Sequence, residues 1–137
     1  MLLVHPGGPF YRNKDAGVWQ IPKGLVEADE DAAHAAQRET EEELGITLDG
    51  VPWPLVTIRQ AGGKIVEAFA LEQVVETDAI VSNQFEMEWP PRSGKRASFP
   101  EVDRANWYDW DHAATMMLVS QRPLLDALKA AIDGSDG

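Results

Sequence analysis

The sequence predicts a mixed α and β domain, α/β in the α+β sense, with a mixed β-sheet sandwiched between α-helices. Three observations carry that expectation. Short runs rich in valine, isoleucine and phenylalanine recur along the chain. One acidic, alanine-rich segment has the start and stop residues of a helix, and two further helical stretches close the sequence. A length of 137 residues fits one domain with its own core, assigned to residues 1–132, with residues 133–137 as a C-terminal tail.

Leu2 to Val4 reads as the end of a strand, followed by the turn-rich loop HPGGPFYRNKDAG. Val18 to Ile21 is a short strand broken by Pro22-Lys23-Gly24. From Asp31 to Leu44 alanine, glutamine and glutamate favour helix; Asp29, Glu30 and Asp31 suit its positive end, and Gly45 suits its stop. Leu55 to Gln60 and Lys64 to Leu71 form a hairpin joined by Ala61-Gly62-Gly63. Phe85 to Trp89 alternates like a half-exposed strand, Pro90 to Pro100 is a basic loop, and Asn106 to Trp110 is another strand. Asp111 to Val119 and Pro123 to Ile132 read as helices, the second with Leu124, Leu125, Leu128 and Ile132 on one face.

Composition excludes several classes of function. Without cysteine there is no disulfide framework, thiolate metal site or thiol nucleophile. A formal charge of −11 argues against broad nucleic-acid binding, and no apolar run or leader pattern suggests a membrane, so the reading places the protein in the cytoplasm. A phosphorylated small molecule stays open, provided a cation mediates.

Eight acids stand between Glu27 and Glu43 against one arginine, Arg38. Like charges at helical spacing repel, so such a concentration calls for compensation from outside the sequence. At about 100° per residue, Ala33, Ala36, Thr40 and Leu44 share a stripe facing the sheet. Glu39, Glu42 and Glu43, at i, i+3 and i+4, converge beside it. Hard divalent cations such as magnesium take carboxylate oxygens and complete their shell with water and phosphate. Arg38 is placed to orient one carboxylate. A solvated acidic face is the alternative reading of the charges alone.

Gly24, five residues, Glu30, seven residues, then Arg38-Glu39-Thr40-Glu41-Glu42-Glu43-Leu44-Gly45-Ile46 resembles the Nudix box. Every charged and glycine position matches; Thr40 stands where the family prefers an aliphatic residue. Trp19-Gln20-Ile21-Pro22-Lys23-Gly24 resembles a run common in Nudix enzymes acting on dinucleoside polyphosphates or capped ends. His5-Pro-Gly-Gly-Pro-Phe10, Ser82-Asn83, Glu88-Trp-Pro-Pro-Arg-Ser-Gly94 and Phe99-Pro-Glu-Val-Asp-Arg104 are similar to one subgroup of predicted bacterial NTP pyrophosphohydrolases.

The resemblance implies hydrolysis of a pyrophosphate bond in a nucleoside diphosphate-linked substrate with Mg2+ (or Mn2+), a dinucleoside polyphosphate or NTP being preferred. It implies Glu42 and Glu43 as central metal ligands, Glu39 as a further ligand or base, Arg38 as its orienter and the Gly24 carbonyl as a ligand. Glu30 takes a structural role. Lys23 would reach a phosphate; Arg92, Lys95 and Arg96 in the basic loop are candidates for the far phosphates. Trp89, Trp107 and Trp110 are weighed as a stacking surface against a place in the core. Glu101, in a loop before a tryptophan-bearing strand, is expected to complete the site as base or ligand, with Asp103 its rival. The three histidines are assigned no chemistry. The family usually has a strand before the segment resembling Leu2 to His5. The expectation is therefore either an upstream start or a missing first strand, whose exposed edge would favour a homodimer. The competing function is a catalytically weak domain that senses a nucleotide or binds a partner.

Overall fold

The computed structural model describes residues 1–135. Six strands and three helices follow one another as β1 (Leu2–Pro6), α1 (Ala32–Leu44), β2 (Trp53–Arg59), β3 (Ile65–Ala70), β4 (Gln84–Glu88), β5 (Arg96–Pro100), β6 (Val102–Trp107), α2 (Trp110–Met116) and α3 (Arg122–Ser135). The α+β class holds. The strands pair as three antiparallel ribbons, β1–β6, β2–β3 and β4–β5, rather than as one continuous mixed sheet.

The first helix forms as its ends dictate. Asp31 caps it by accepting the His34 amide at 3.0 Å, and Gly45, left-handed at φ 64°, closes it with its amide on the Glu41 carbonyl at 2.8 Å. Gly45 is needed for space as well, because a Cβ there would stand 2.3 Å from the Val81 carbonyl oxygen. The buried face differs from the expected stripe: Ala35, Glu43 and Leu44 are buried, while Ala33 is only partly covered. At about 100° per residue Glu43 falls near the middle of that face. A glutamate has taken a core position.

The hairpin β2–β3 forms where expected, with Thr57 opposite Glu67 and positive φ at Gly62 and Gly63 in its turn. Four expectations change. Val18 to Ile21 makes only single bridges, Val4 with Gln20 and Trp19 with Met117, because Pro22 lacks an amide to continue a ladder. The basic loop is shorter than expected, since Arg96–Pro100 is strand β5, with Phe99 opposite Phe85 and Arg96 opposite Glu88. The strand expected over Asn106 to Trp110 lies earlier, at Val102–Trp107, held by pairing with β1, and Trp110 opens α2. The final helix runs to Ser135, past the expected end at Ile132, so residues 133–135 of the expected tail are helical; Asp136 and Gly137 lie outside the described residues.

Two core clusters hold the ribbons and helices. Leu3, Trp19, Ala113, Met117 and Leu125 form one; Val4, Leu44, Val102 and Ala105 form the other. His5 is fully buried between them and the loop, its ring nitrogens 2.7 Å from Asp103 Oδ1 and 2.7 Å from the Lys14 carbonyl oxygen. A cleft of about 1010 Å³ separates α1 from β3, bordered by β1, β6 and α3.

Candidate active site

Arg38 organises the helix end. Its Nε and Nη2 donate to the two oxygens of Glu30 at 2.7 and 3.0 Å, and Nη2 also reaches the Leu25 carbonyl at 3.0 Å. Its Nη1 donates to Glu39 Oε1 at 2.9 Å and contacts Glu42 at 3.3 Å. The bidentate pair with Glu30 raises the guanidinium pKa and lowers that of Glu30. Glu30 also accepts the Glu27 amide at 3.1 Å, so it fixes the loop before the helix, the structural role expected of it.

Gly24 passes directly over Glu39. A Cβ at position 24 would stand 1.9 Å from Glu39 Cδ and 2.2 Å from Oε2, so only glycine brings this backbone so close to that carboxylate. The next amide along, that of Lys23, donates to Glu43 Oε2 at 3.2 Å. The loop and the helix therefore meet at two carboxylates one turn apart.

Glu101 is brought to the same place by backbone bonds. Its amide donates to the Asn83 carbonyl at 2.9 Å, and its carbonyl accepts the Gly7 amide at 2.9 Å. Asn83 is itself tied to α1, its amide donating to the Glu42 carbonyl at 3.2 Å. Ser82 supports the junction, accepting the Val102 amide at 3.0 Å and donating to the Asn83 carbonyl at 2.8 Å. Gly7 is required here, because a Cβ would overlap the Pro100 carbonyl oxygen at 1.8 Å.

The electrostatics follow from this convergence. Burial pushes Glu43 up to about 7, against the bond from the Lys23 amide, with the negative charges of Glu101 and Glu39 adding to the rise. Glu101 is raised too, by burial first and then by Glu39 and Glu42. Like charges meet at Glu39, Glu42, Glu43 and Glu101 without enough cation to offset them. Oxygen donors of this type, together with the Gly24 carbonyl, have the chemistry that a hard divalent cation takes. In this arrangement, however, no three such side chains among the described residues stand close enough together to hold an ion. Arg38 engages Glu39 and Glu42 instead.

The basic residues do not join this group. Arg92 and Lys95 lie in the turn of the β4–β5 hairpin and Arg96 at its start, the last facing Glu86 at 3.6 Å. The whole length of β5, about 17 Å at strand rise, separates them from Glu101. None borders the cleft; Lys23 and Lys64 do. Of the tryptophans, Trp107 borders the cleft with its indole on the Val75 carbonyl, Trp89 packs edge-on against Phe10, and Trp110 lies against the core. Gln121, buried beside the cleft, accepts the Ile21 amide at 3.0 Å and leaves its Nε2 without a partner. Gly7, Asn83, Lys64 and Gln121 were not singled out for the site by sequence reasoning. The tight Pro-Gly-Gly of the first loop was the available signal for Gly7; the others depend on tertiary placement.

The family model described as NUDIX domain matches residues 1–128. The chain belongs to the Nudix family. The Nudix box thus spans Gly24 to Ile46, and its loop, helix and glycine stop are the elements built above. An octanoyltransferase of Myxococcus xanthus is 34% identical over 98 residues, 72% of this Nudix chain but 24% of that protein. An RNA pyrophosphohydrolase of Gluconacetobacter diazotrophicus is 51% identical over 39 residues, 28% of this chain and 21% of that protein. The chain therefore spans less than a quarter of the length of either relative. No solved structure matches.

Proposed function

We propose that this Nudix domain hydrolyses a pyrophosphate bond in a nucleoside diphosphate-linked substrate, preferentially a dinucleoside polyphosphate or NTP, with Mg2+ or Mn2+. The observation that carries the proposal is the convergence of Gly24, Glu43 and Glu101 on the cleft, with Glu39 packed directly against Gly24. Glu39, Glu42, Glu43 and the Gly24 carbonyl would hold the metal, which when bound neutralises phosphate charge and acidifies a coordinated water. Arg38 orients Glu39 and Glu42. Glu101, held by its own backbone on Asn83 and Gly7 and raised above the ordinary carboxylate value by burial and by Glu39 and Glu42, accepts the proton of the attacking water at its carboxylate. Oxygen attacks phosphorus as the bridging P–O bond breaks. Lys23 faces the substrate phosphates from the loop. The name of the RNA pyrophosphohydrolase relative supports the reaction class.

A panel of nucleoside triphosphate, diadenosine tetraphosphate, nucleoside diphosphate sugar and capped RNA, separated by anion exchange after incubation with magnesium, tests this reading. Glu42→Gln and Glu43→Gln are each expected to lower turnover about 100-fold or more, and excess EDTA to abolish it. Full turnover in either case overturns the metal-dependent reading.

A nucleotide-sensing module without turnover is the second reading. It is favoured by one observation: Arg38 engages two of the carboxylates that a metal would need. Binding of the panel nucleotides with no product from any of them would establish it. Independently of which reading holds, self-association as a homodimer through an unpaired ribbon edge is proposed, and light scattering tests it.

A further inference from the structure

The carboxylates that make the site also repel a polyphosphate, and the chain has few cations to answer them. Arg38 is committed to Glu30, Glu39 and Glu42. The hairpin cations Arg92, Lys95 and Arg96 stand a strand's length away. Among the described residues the cleft is bordered by two cationic side chains, Lys23 and Lys64, and neither has an acidic partner within salt-bridge distance. In a chain with 23 acids and 12 lysines and arginines, these two are the positive charge that the cleft lining offers to an anion. Such a pair gains from an anion placed between its members.

Lys64 is held where it stands. Its carbonyl accepts the Gln60 amide at 2.7 Å, closing a turn that runs through Gly62 and Gly63 at φ 85° and 83°. The Gln60 side chain donates from Nε2 to Ser120 Oγ at 2.7 Å, pinning that turn to the segment before α3. The base of the Lys64 side chain is therefore fixed relative to the far wall of the cleft, and only its flexible stem must order on binding.

Resting on the hydrolase reading for the identity of the ligand, we propose that Lys64 joins Lys23 in an anion seat on the cleft side of the carboxylates, which takes the outer phosphate of a polyphosphate substrate. The seat takes the far-phosphate role for which the basic hairpin was a candidate. It makes Lys64 a residue that sets preference for substrates with a longer phosphate chain.

Titration calorimetry with inorganic tripolyphosphate and magnesium, on the whole chain, tests the seat without requiring turnover. Lys64→Gln should weaken binding about tenfold, Lys64→Arg should restore most of it, and Lys129→Gln, which removes an equal charge from the outer side of α3, should leave it unchanged. In turnover on the best panel substrate, Lys64→Gln should raise KM by a similar factor with kcat nearly constant. Unchanged affinity in Lys64→Gln, an equal loss in Lys129→Gln, or no tripolyphosphate binding by the wild type overturns the proposal. The two readings fail separately. Lys64-dependent binding with no hydrolysis of any panel member overturns the hydrolase and keeps the seat; hydrolysis that is indifferent to Lys64 does the reverse.

Discussion

Glu101 and Asp103 sit two residues apart and have different neighbours. Glu101 borders the cleft beside Glu43, its backbone bonded on both sides. Asp103 faces the other way and meets the buried ring of His5 at 2.7 Å. The second ring nitrogen of His5 meets the Lys14 carbonyl oxygen at 2.7 Å, so the buried ring is held from both sides. The pair ties β1 to β6 beneath Trp19, which stacks edge-on against His5 at 5.3 Å. Glu101→Gln should therefore lower turnover roughly 10²–10⁴-fold with the melting temperature kept. Asp103→Asn should do the opposite, keeping most turnover but losing on the order of 1–3 kcal/mol of stability, because the buried ring loses its carboxylate partner. Paired denaturation and rate measurements check both. Equal turnover in wild type and Glu101→Gln, with magnesium saturating, would return the base role to Glu39.

At the scale of elements, the site depends on how loops dock to α1 rather than on α1 alone. The helix was legible because its signals are local: an aspartate cap, alanines and glutamates, then a glycine with positive φ. Its box spacing carried Gly24, Arg38 and the glutamates, and Gly24 does lie against Glu39. What sequence reasoning missed is set by partners distant in the chain. In β5 the residues Arg96-Ala-Ser-Phe-Pro100 read as loop, yet they pair with β4 because Phe99 meets Phe85 across the ribbon. Strand β6 buries Val102 and Ala105, a spacing of three that no alternation pattern would mark. Gly7 belongs to this class. Its missing Cβ lets β1 lie against Pro100 and hold the Glu101 carbonyl. Gly7→Ala should push that junction apart and cost about 1–3 kcal/mol, with a loss of turnover larger than the loss of stability explains. Gly50→Ala is the control, since a Cβ there meets only Leu71 Cδ1 at 3.9 Å. Turnover in Gly7→Ala equal to that of Gly50→Ala would show that Glu101 does not rely on this contact.

For the whole molecule, the acidic site sets how stability depends on pH. Glu43 titrates at about 7 in the folded chain, above its ordinary 4.5, because it occupies a core position facing Glu101 and Glu39. The folded state thus holds more protons than the unfolded state between these values, and stability falls as pH rises through that window. Glu101, also raised, acts in the same direction. Glu30 and Asp31 act oppositely, since their lowered pKa values contribute stability that is lost only as the solution turns strongly acid. The chain freed of metal by EDTA should therefore be most stable near pH 5. It should lose on the order of 1–3 kcal/mol by pH 7.5, allowing for the part of Glu43 that water still screens. For a domain of this size that is a fall of several degrees in melting temperature. Magnesium should reverse the fall at pH 7.5, because a cation then replaces the protons that the carboxylates have released, and should add little at pH 5, where protons compete for the same oxygens. Thermal unfolding in low-salt buffers with EDTA or with magnesium measures all four corners of this comparison. A melting temperature that rises steadily from pH 5 to 7.5 without metal would mean that Glu43 is ionised at little cost, and that the carboxylates are not forced together as the fold implies.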